Sequence, residues 1–309
     1  MLRDSLAANE EMEIRVFSWR DALLRRFNVF HVHWPELLLT GTSPRRSLAK
    51  QLLMLVLLIK VTLLRTPVVR TLHNTGRHEG LSGLQHALLD LLDRRTTSMI
   101  VLNESPVSTS CPSTVILHGH YRDWFARYSR SAVHPGQLSF FGILRTYKGL
   151  DRLLEVFRQT PGDLRLRMAG RAYPPELGDQ LTKLAELDER VELTCEYVDD
   201  QELVEIATEA ELVVLPYREM HNSGSVLAAL SLDRPVLVPW NEVTERLQRE
   251  VGAEWVITYE DDLSSDVLLA ALASARRRSR TAVPDLSRRD WDLAGRQHLE
   301  VYRRALDLR

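Results

Sequence analysis

Residues 211–238, ELVVLPYREMHNSGSVLAALSLDRPVLV, decide the fold. Leu212 to Leu215 is an apolar run of strand length, Pro216 to Asn222 a polar loop, and Ser223-Gly224-Ser225 the opening of a helix. Pro235 to Val238 reads as a second apolar strand. A strand that passes through a small-residue turn into a helix aims several backbone N–H groups, and the positive end of the helix dipole, at one spot where an anion can sit. Serine ahead of an apolar run also serves as a plain helix cap. The context favours a ligand: Glu219 lies in the same loop, at the carboxyl end of a strand, where open α/β sheets bind their ligands. The expectation is a diphosphate site.

Composition bounds the rest. The 309 residues have room for two domains of ordinary size, and 44% hydrophobic content supports real cores rather than disorder. A formal net charge of −2 gives no general reason to bind nucleic acid. Cys111 and Cys195 lie far apart without metal-ligand spacing, so neither a disulfide framework nor a zinc site is expected. The first residues, MLRDSLAANEEMEIRV, show no export signal, and with the cysteine usage this points to the cytoplasm.

Working outward, Ile14 to Trp19, Val29 to Trp34, Pro67 to Leu72, Ser98 to Leu102 and Thr114 to Leu117 read as strands at α/β spacing, with helices between them. A nucleotide-binding-like domain normally begins with a strand and a tight glycine loop. No such strand precedes Met12-Glu13-Ile14, so either the first domain is trimmed of its first strand or the start codon is misplaced. Residues 48–64, LAKQLLMLVLLIKVTLL, are the most apolar stretch, but Lys50, Gln51 and Lys60 interrupt them, which excludes a membrane span. A crossover helix on the sheet is the expectation. Arg45, Arg46, Lys50, Lys60 and Arg65 around it keep open a peripheral contact with a membrane surface.

Four strand ends in this half carry polar groups: His31-Val32-His33-Trp34-Pro35-Glu36, then Thr71-Leu72-His73-Asn74 with His78-Glu79, then Asn103-Glu104-Ser105, then His118-Gly119-His120-Tyr121. In a parallel sheet such ends form one rim of a cleft. His31 and His33 alternate on a strand without fixed partners, so a metal is not expected. A Pro-Gly stop puts the domain linker near Ser131 to Gly136. The alternation then restarts, with strands at 138–141, 164–169 and 190–194 and helices at 148–158, 175–187 and 200–208. Arg145 and Lys148 stand at the first strand-to-helix junction, and Gly170-Arg171 ends the next strand. Residues 289–306 form an amphipathic closing helix.

Together these motifs resemble GT-B glycosyltransferases. The resemblance spans roughly residues 29–306 and is strongest in the second half. It implies two Rossmann-like, doubly wound α/β domains facing across a cleft: an acceptor-side domain over 1–133, a nucleotide-sugar domain over 134–288, and a helix over 289–309 that packs back toward the first. FGILRTYKGL matches the family's opening of the second domain, with Lys148-Gly149 in place and Arg145 displaced from the usual basic position, which Ile143 occupies. By this resemblance Lys148, Arg145, Arg171, Ser223, Gly224 and Ser225 hold the diphosphate, Glu219 holds sugar hydroxyls, and His73 faces the reacting sugar. Glu79, His78 and Glu36 are alternative bases. The family's second glutamate falls on Ala228, which cannot hydrogen-bond a ribose. The Ser-Gly-Ser loop with the HxHWPE and HN-x-x-x-HE elements is similar to a subfamily of bacterial exopolysaccharide enzymes, GDP-mannose-dependent mannosyltransferases acting on lipid-linked oligosaccharides. The implied partners are a nucleotide-sugar donor and a glycolipid or glycan acceptor, with no metal and no other cofactor required. A non-catalytic nucleotide-sugar-binding partner protein and a nucleotide-sugar epimerase of the same fold are the competing readings.

Overall fold

Short apolar runs bounded by turn residues assemble into two wholly parallel sheets in the computed structural model, which describes residues 1–9, 11–73, 80–104, 111–218, 220, 222–279 and 281–308. The first sheet holds β1 (Phe30–Val32), β2 (Val68–Leu72), β3 (Thr96–Val101) and β4 (Ser113–Val115), in that spatial order. The second holds β5 (Gln137–Phe141), β6 (Arg165–Ala169), β7 (Val191–Thr194), β8 (Leu212–Val214), β9 (Val236–Pro239) and β10 (Val256–Tyr259). Its spatial order is β10-β9-β8-β5-β6-β7. The central strands β5, β8 and β9 are covered on both faces and buried almost throughout, as the interior of a parallel sheet requires, whereas β6 and β7 toward one edge mix charged with apolar residues.

The chain divides into two units, Met1–Gly119 with Arg288–Arg309, and His120–Ser287. Each is built on one of these Rossmann-like sheets. The division falls at 119/120, ahead of the expected linker near 131–136. The reason is packing: Phe125 belongs to the second unit's core, with Tyr121 and Tyr128 against it. The closing helix, Trp291–Asp307, belongs to the first unit.

In the first unit the period-two geometry of a strand sends neighbouring residues to opposite faces. Val68 joins Met54, Leu57, Leu58, Leu89 and Leu92 on one face. Val69 joins Leu6, Ile100, Ile116, Val301 and Tyr302 on the other. Helices Pro44–Leu63 and Gly83–Arg95 supply the first layer, and helices Leu2–Ala7 and Trp291–Asp307 the second. The strand expected at Ile14 to Trp19 does not form. Ser18 accepts a hydrogen bond from the Asp21 amide and caps helix Trp19–Leu24, so the cap overrides the apolar run.

Helix Pro44–Leu63 buries Met54, Leu57, Leu58 and Val61, one helical stripe, against the sheet. Its far side is apolar as well: Leu48, Leu52, Val56, Ile59 and Leu63 are all at least half exposed. Among the described residues no helix is long and apolar enough to cross a membrane.

Candidate active site

In the second sheet the strand order reverses between β5 and β8, whose neighbours lie on opposite sides in sequence. Ligands of open α/β sheets bind outside the carboxyl ends of the strands at such a reversal. The loops that leave those two ends are the ones singled out from sequence: Gly142 to Gly149 after β5, and Leu215 to Ser223 after β8.

Close backbone approach shapes this corner. Gly142 has φ +113° and Gly170 φ +154°, and a Cβ on Gly170 would stand 2.0 Å from the Gly142 carbonyl oxygen. Gly149, at φ +64°, would drive a Cβ to 2.4 Å from the carbonyl oxygen of Pro216, so the two site loops touch main chain to main chain. Only glycine fits such positions without strain. A Cβ on Gly142 itself would lie 2.8 Å from Ser225 Oγ and 3.6 Å from Lys148 Nζ, so both atoms converge on the space above that glycine.

Lys148 ends the 3₁₀ turn Thr146–Lys148 and is only 7% exposed. Its ammonium lies 4.8 Å from the centre of the Tyr217 ring and 5.5 Å from that of Phe140. No carboxylate pairs with it among the described residues. Burial lowers its pKa from 10.5 to about 8. Arg145, one turn earlier, is half-buried with its guanidinium 4.9 Å from the centre of the Tyr173 ring. Arg171 joins the corner through its backbone, its carbonyl accepting from the Leu144 amide at 2.9 Å, while its side chain is exposed.

Helix Gly224–Ser231 starts beside this cation. The Ser223 hydroxyl accepts from the Val226 amide at 3.3 Å and caps the helix. Ser223 is therefore a helix cap in the nucleotide-free fold. The amides of Gly224 and Ser225, as the first two of the helix, have no acceptor within it. Tyr121 reaches the same place: its hydroxyl would lie 3.4 Å from a Cβ on Gly224. The loop between is tied down where the Asn241 side chain donates to the Met220 carbonyl at 2.8 Å. Glu219 lies outside the described residues, and Ala228 is buried within the helix.

The first unit gathers histidines. His31 links the Tyr302 hydroxyl (2.7 Å) to that of Thr71 (2.8 Å), a structural bridge between β1, β2 and the closing helix. His33 Nδ1 and His73 Nε2 share a proton at 3.0 Å, and Trp34 stacks on His73 with ring centres 4.3 Å apart. Burial, then neighbouring histidine charge, lowers both pKa values to about 4, so both rings are neutral at pH 7. His118 is half-buried beside the Gly119 carbonyl, with Nδ1 2.8 Å from it, so Nδ1 carries the proton. Among the described residues no cluster of His, Cys, Asp or Glu could hold a metal ion. Glu36 is no free base: it is buried 3.9 Å from Arg70, which also pairs with Asp93. His78 and Glu79 lie outside the described residues.

Tyr217 was missed in sequence, because an aromatic residue in a loop gives no sign of which way it faces; Tyr121 stood at the polar strand end His118-Gly119-His120-Tyr121 but without a role. The one signal for Tyr217 was its place, directly after the strand end Leu215-Pro216.

Residues 135–272, from β5 through most of helix Ser265–Arg277, match the family model of the glycosyl transferases group 1. Two GDP-mannose:glycolipid 4-beta-D-mannosyltransferases of Xanthomonas campestris pv. campestris are 42% and 43% identical to this chain over 302 residues, which is 97% of this chain and 86% of each relative. Among solved structures, sucrose-phosphate synthase from Thermosynechococcus elongatus is similar at TM-score 0.59 and 14% identity, over 92% of this chain and 75% of that one. Anabaena Alr3699/HepE in complex with UDP and glucose is similar at TM-score 0.58 and 18% identity, over 82% and 76%. At those identities the two structures speak for the fold alone.

Proposed function

This chain is a glycosyltransferase of the group 1 family, and from that premise we propose that it moves mannose from GDP-mannose to a hydroxyl of a glycolipid in polysaccharide biosynthesis. The observation that carries the reading is Lys148, a buried ammonium with no carboxylate partner among the described residues, beside a helix start at the sheet's reversal point. A buried cation without a counter-charge is costly. A diphosphate supplies that counter-charge, and Lys148 opposes the negative charge that grows on it as the sugar–phosphate bond breaks. Arg145 and the Gly224 and Ser225 amides add to the same field, so the reaction in this reading requires no metal. Arg171 contributes at long range from the exposed end of β6. His73, neutral at pH 7, is the first unit's candidate for the sugar, with Glu219 and Glu79 the candidate carboxylates. The donor and acceptor follow those of the two mannosyltransferase relatives, 42% and 43% identical.

A glycolipid acceptor sits in a membrane, and the apolar outer side of helix Pro44–Leu63 supports peripheral contact with that surface. Leu52, Val56, Ile59 and Leu63 stand exposed there, and Arg45 and Arg46 at its start suit anionic headgroups. This reading puts the enzyme at the cytoplasmic face of the membrane.

The test is transfer of radiolabelled mannose from GDP-mannose into glycolipid by the purified chain, in EDTA, with UDP-glucose as the alternative donor. Labelled glycolipid from GDP-mannose alone supports the reading. Nucleotide binding without product identifies a non-catalytic binder, and an altered free nucleotide sugar an epimerase. In parallel, Leu52→Glu/Val56→Glu is expected to abolish co-flotation with anionic vesicles while leaving GDP binding intact. Unchanged flotation rejects that surface.

A further inference from the structure

Tyr217 lies at the floor of the donor site, and no role above makes use of it. Its side chain is 5% exposed, packed on Phe140 and edge-on to Tyr147, with the Lys148 ammonium against its ring. Its hydroxyl has no hydrogen-bond partner among the described residues. The Ser225 and Ser223 hydroxyls are near enough to work against the rise in pKa that burial causes, yet neither completes a hydrogen bond. An unpaired buried hydroxyl is a standing cost to the fold. It is understandable where a ligand brings the missing acceptor.

The neighbours say which acceptor. A buried ammonium, a serine hydroxyl and the first amides of a helix all seek negative oxygen, and no carboxylate among the described residues competes for them. We propose that the Tyr217 hydroxyl donates a hydrogen bond to the terminal phosphate of the bound nucleoside diphosphate. This rests on the donor-site reading of the preceding subsection. The bond strengthens as the sugar departs, since charge accumulates on that phosphate, so Tyr217 acts on transfer as well as on binding.

Tyr217→Phe removes the oxygen and nothing else. Calorimetric titration of the full chain with GDP and with GMP, beside thermal melts without nucleotide, tests the proposal. The expected result is GDP binding about tenfold weaker, as for loss of one hydrogen bond to a charged group. GMP binding stays unchanged, and the nucleotide-free protein melts no lower than wild type. Loss of kcat/KM should exceed the loss of GDP affinity. Wild-type GDP affinity in the variant overturns the proposal, as does an equal loss for GMP. A melt several degrees lower overturns it too, because the hydroxyl then has a partner within the fold. Lys148→Met separates this failure from failure of the site. If Lys148→Met loses GDP and Tyr217→Phe does not, only the tyrosine assignment falls. If neither variant affects GDP, or the wild type binds none, the donor site itself is elsewhere.

Discussion

Replacing Lys148 by methionine keeps the aliphatic stem between Phe140 and Tyr217 and deletes the charge. The difference between the ordinary 10.5 and the buried value of about 8 measures what the nucleotide-free fold loses by holding that charge. At roughly 1.36 kcal/mol per pH unit it comes to about 3 kcal/mol. Some of this returns through imperfect packing of the thioether, so a gain of about 1–3 kcal/mol is expected at pH 7. For a unit of this size that raises the melting temperature by about 3–10 °C. GDP affinity moves the other way, by about a hundredfold, because the phosphate loses its buried counter-charge. The pH profile carries the same signature. Folded Lys148 releases its proton near pH 8 whereas the unfolded chain holds it until about 10.5, so stability from this group rises across that interval. Methionine removes the rise. Differential scanning calorimetry of the nucleotide-free and GDP-saturated proteins between pH 7 and 10 reads all three effects. A lower melting point for the methionine variant would refute the reasoning, since it would mean that the ammonium is already compensated in the fold.

Two further outcomes follow from the same geometry. Gly170→Ala is expected to cost the second unit about 3 kcal/mol or more in urea denaturation, because its Cβ would meet the Gly142 carbonyl at 2.0 Å in a backbone conformation at φ +154°. Gly142→Ala should likewise weaken GDP binding, its methyl occupying the space 2.8 Å from Ser225 Oγ. In the first unit, His33 and His73 are neutral when folded, with pKa about 4, but take up protons near 6.5 when unfolded. Their contribution to stability is therefore complete above pH 6.5 and lost as the pH falls toward 4. Denaturation midpoints across that range should fall steeply for the wild type and flatten for His33→Gln/His73→Gln.

The strands β5 to β9 of the second sheet were legible within a residue or two, because each is a short run bounded by turn residues between segments of helical periodicity, too short to be a helix itself. β10 was passed over: Val256–Tyr259 is a four-residue edge whose burial is only partial. The misreading at Ile14 to Trp19 has the opposite cause, a strand-like run whose fate a single serine cap decided. At the candidate site, the position of Lys148 and of Ser223 to Ser225 at strand-to-helix junctions was legible because strand, turn and helix are local in the chain. What brings Lys148 and Ser225 over Gly142, with Tyr217 against the ammonium, is the adjacency of β5 and β8. Those strands are more than seventy residues apart, and their pairing is a property of the sheet. Arg171 shows what a sequence leaves open: a basic residue at a strand end reads as a ligand, while its exposure, which sets how strongly its charge can act, is decided by the fold.

The closing helix has a consequence for how the molecule is made. The face of the first sheet that carries Val69, Ile100 and Ile116 is covered by Leu6 and, for the rest, by Ala294, Val301, Tyr302 and Ala305 of the closing helix. On the ribosome, therefore, the unit that begins first finishes last. Residues 1–119 wait with one apolar face only partly covered while the whole of His120–Ser287, which is continuous in sequence, can emerge and fold. A chain cut short before Trp291 would keep the second unit's sheet intact beside a half-dressed first unit, and quality control would see that exposed face.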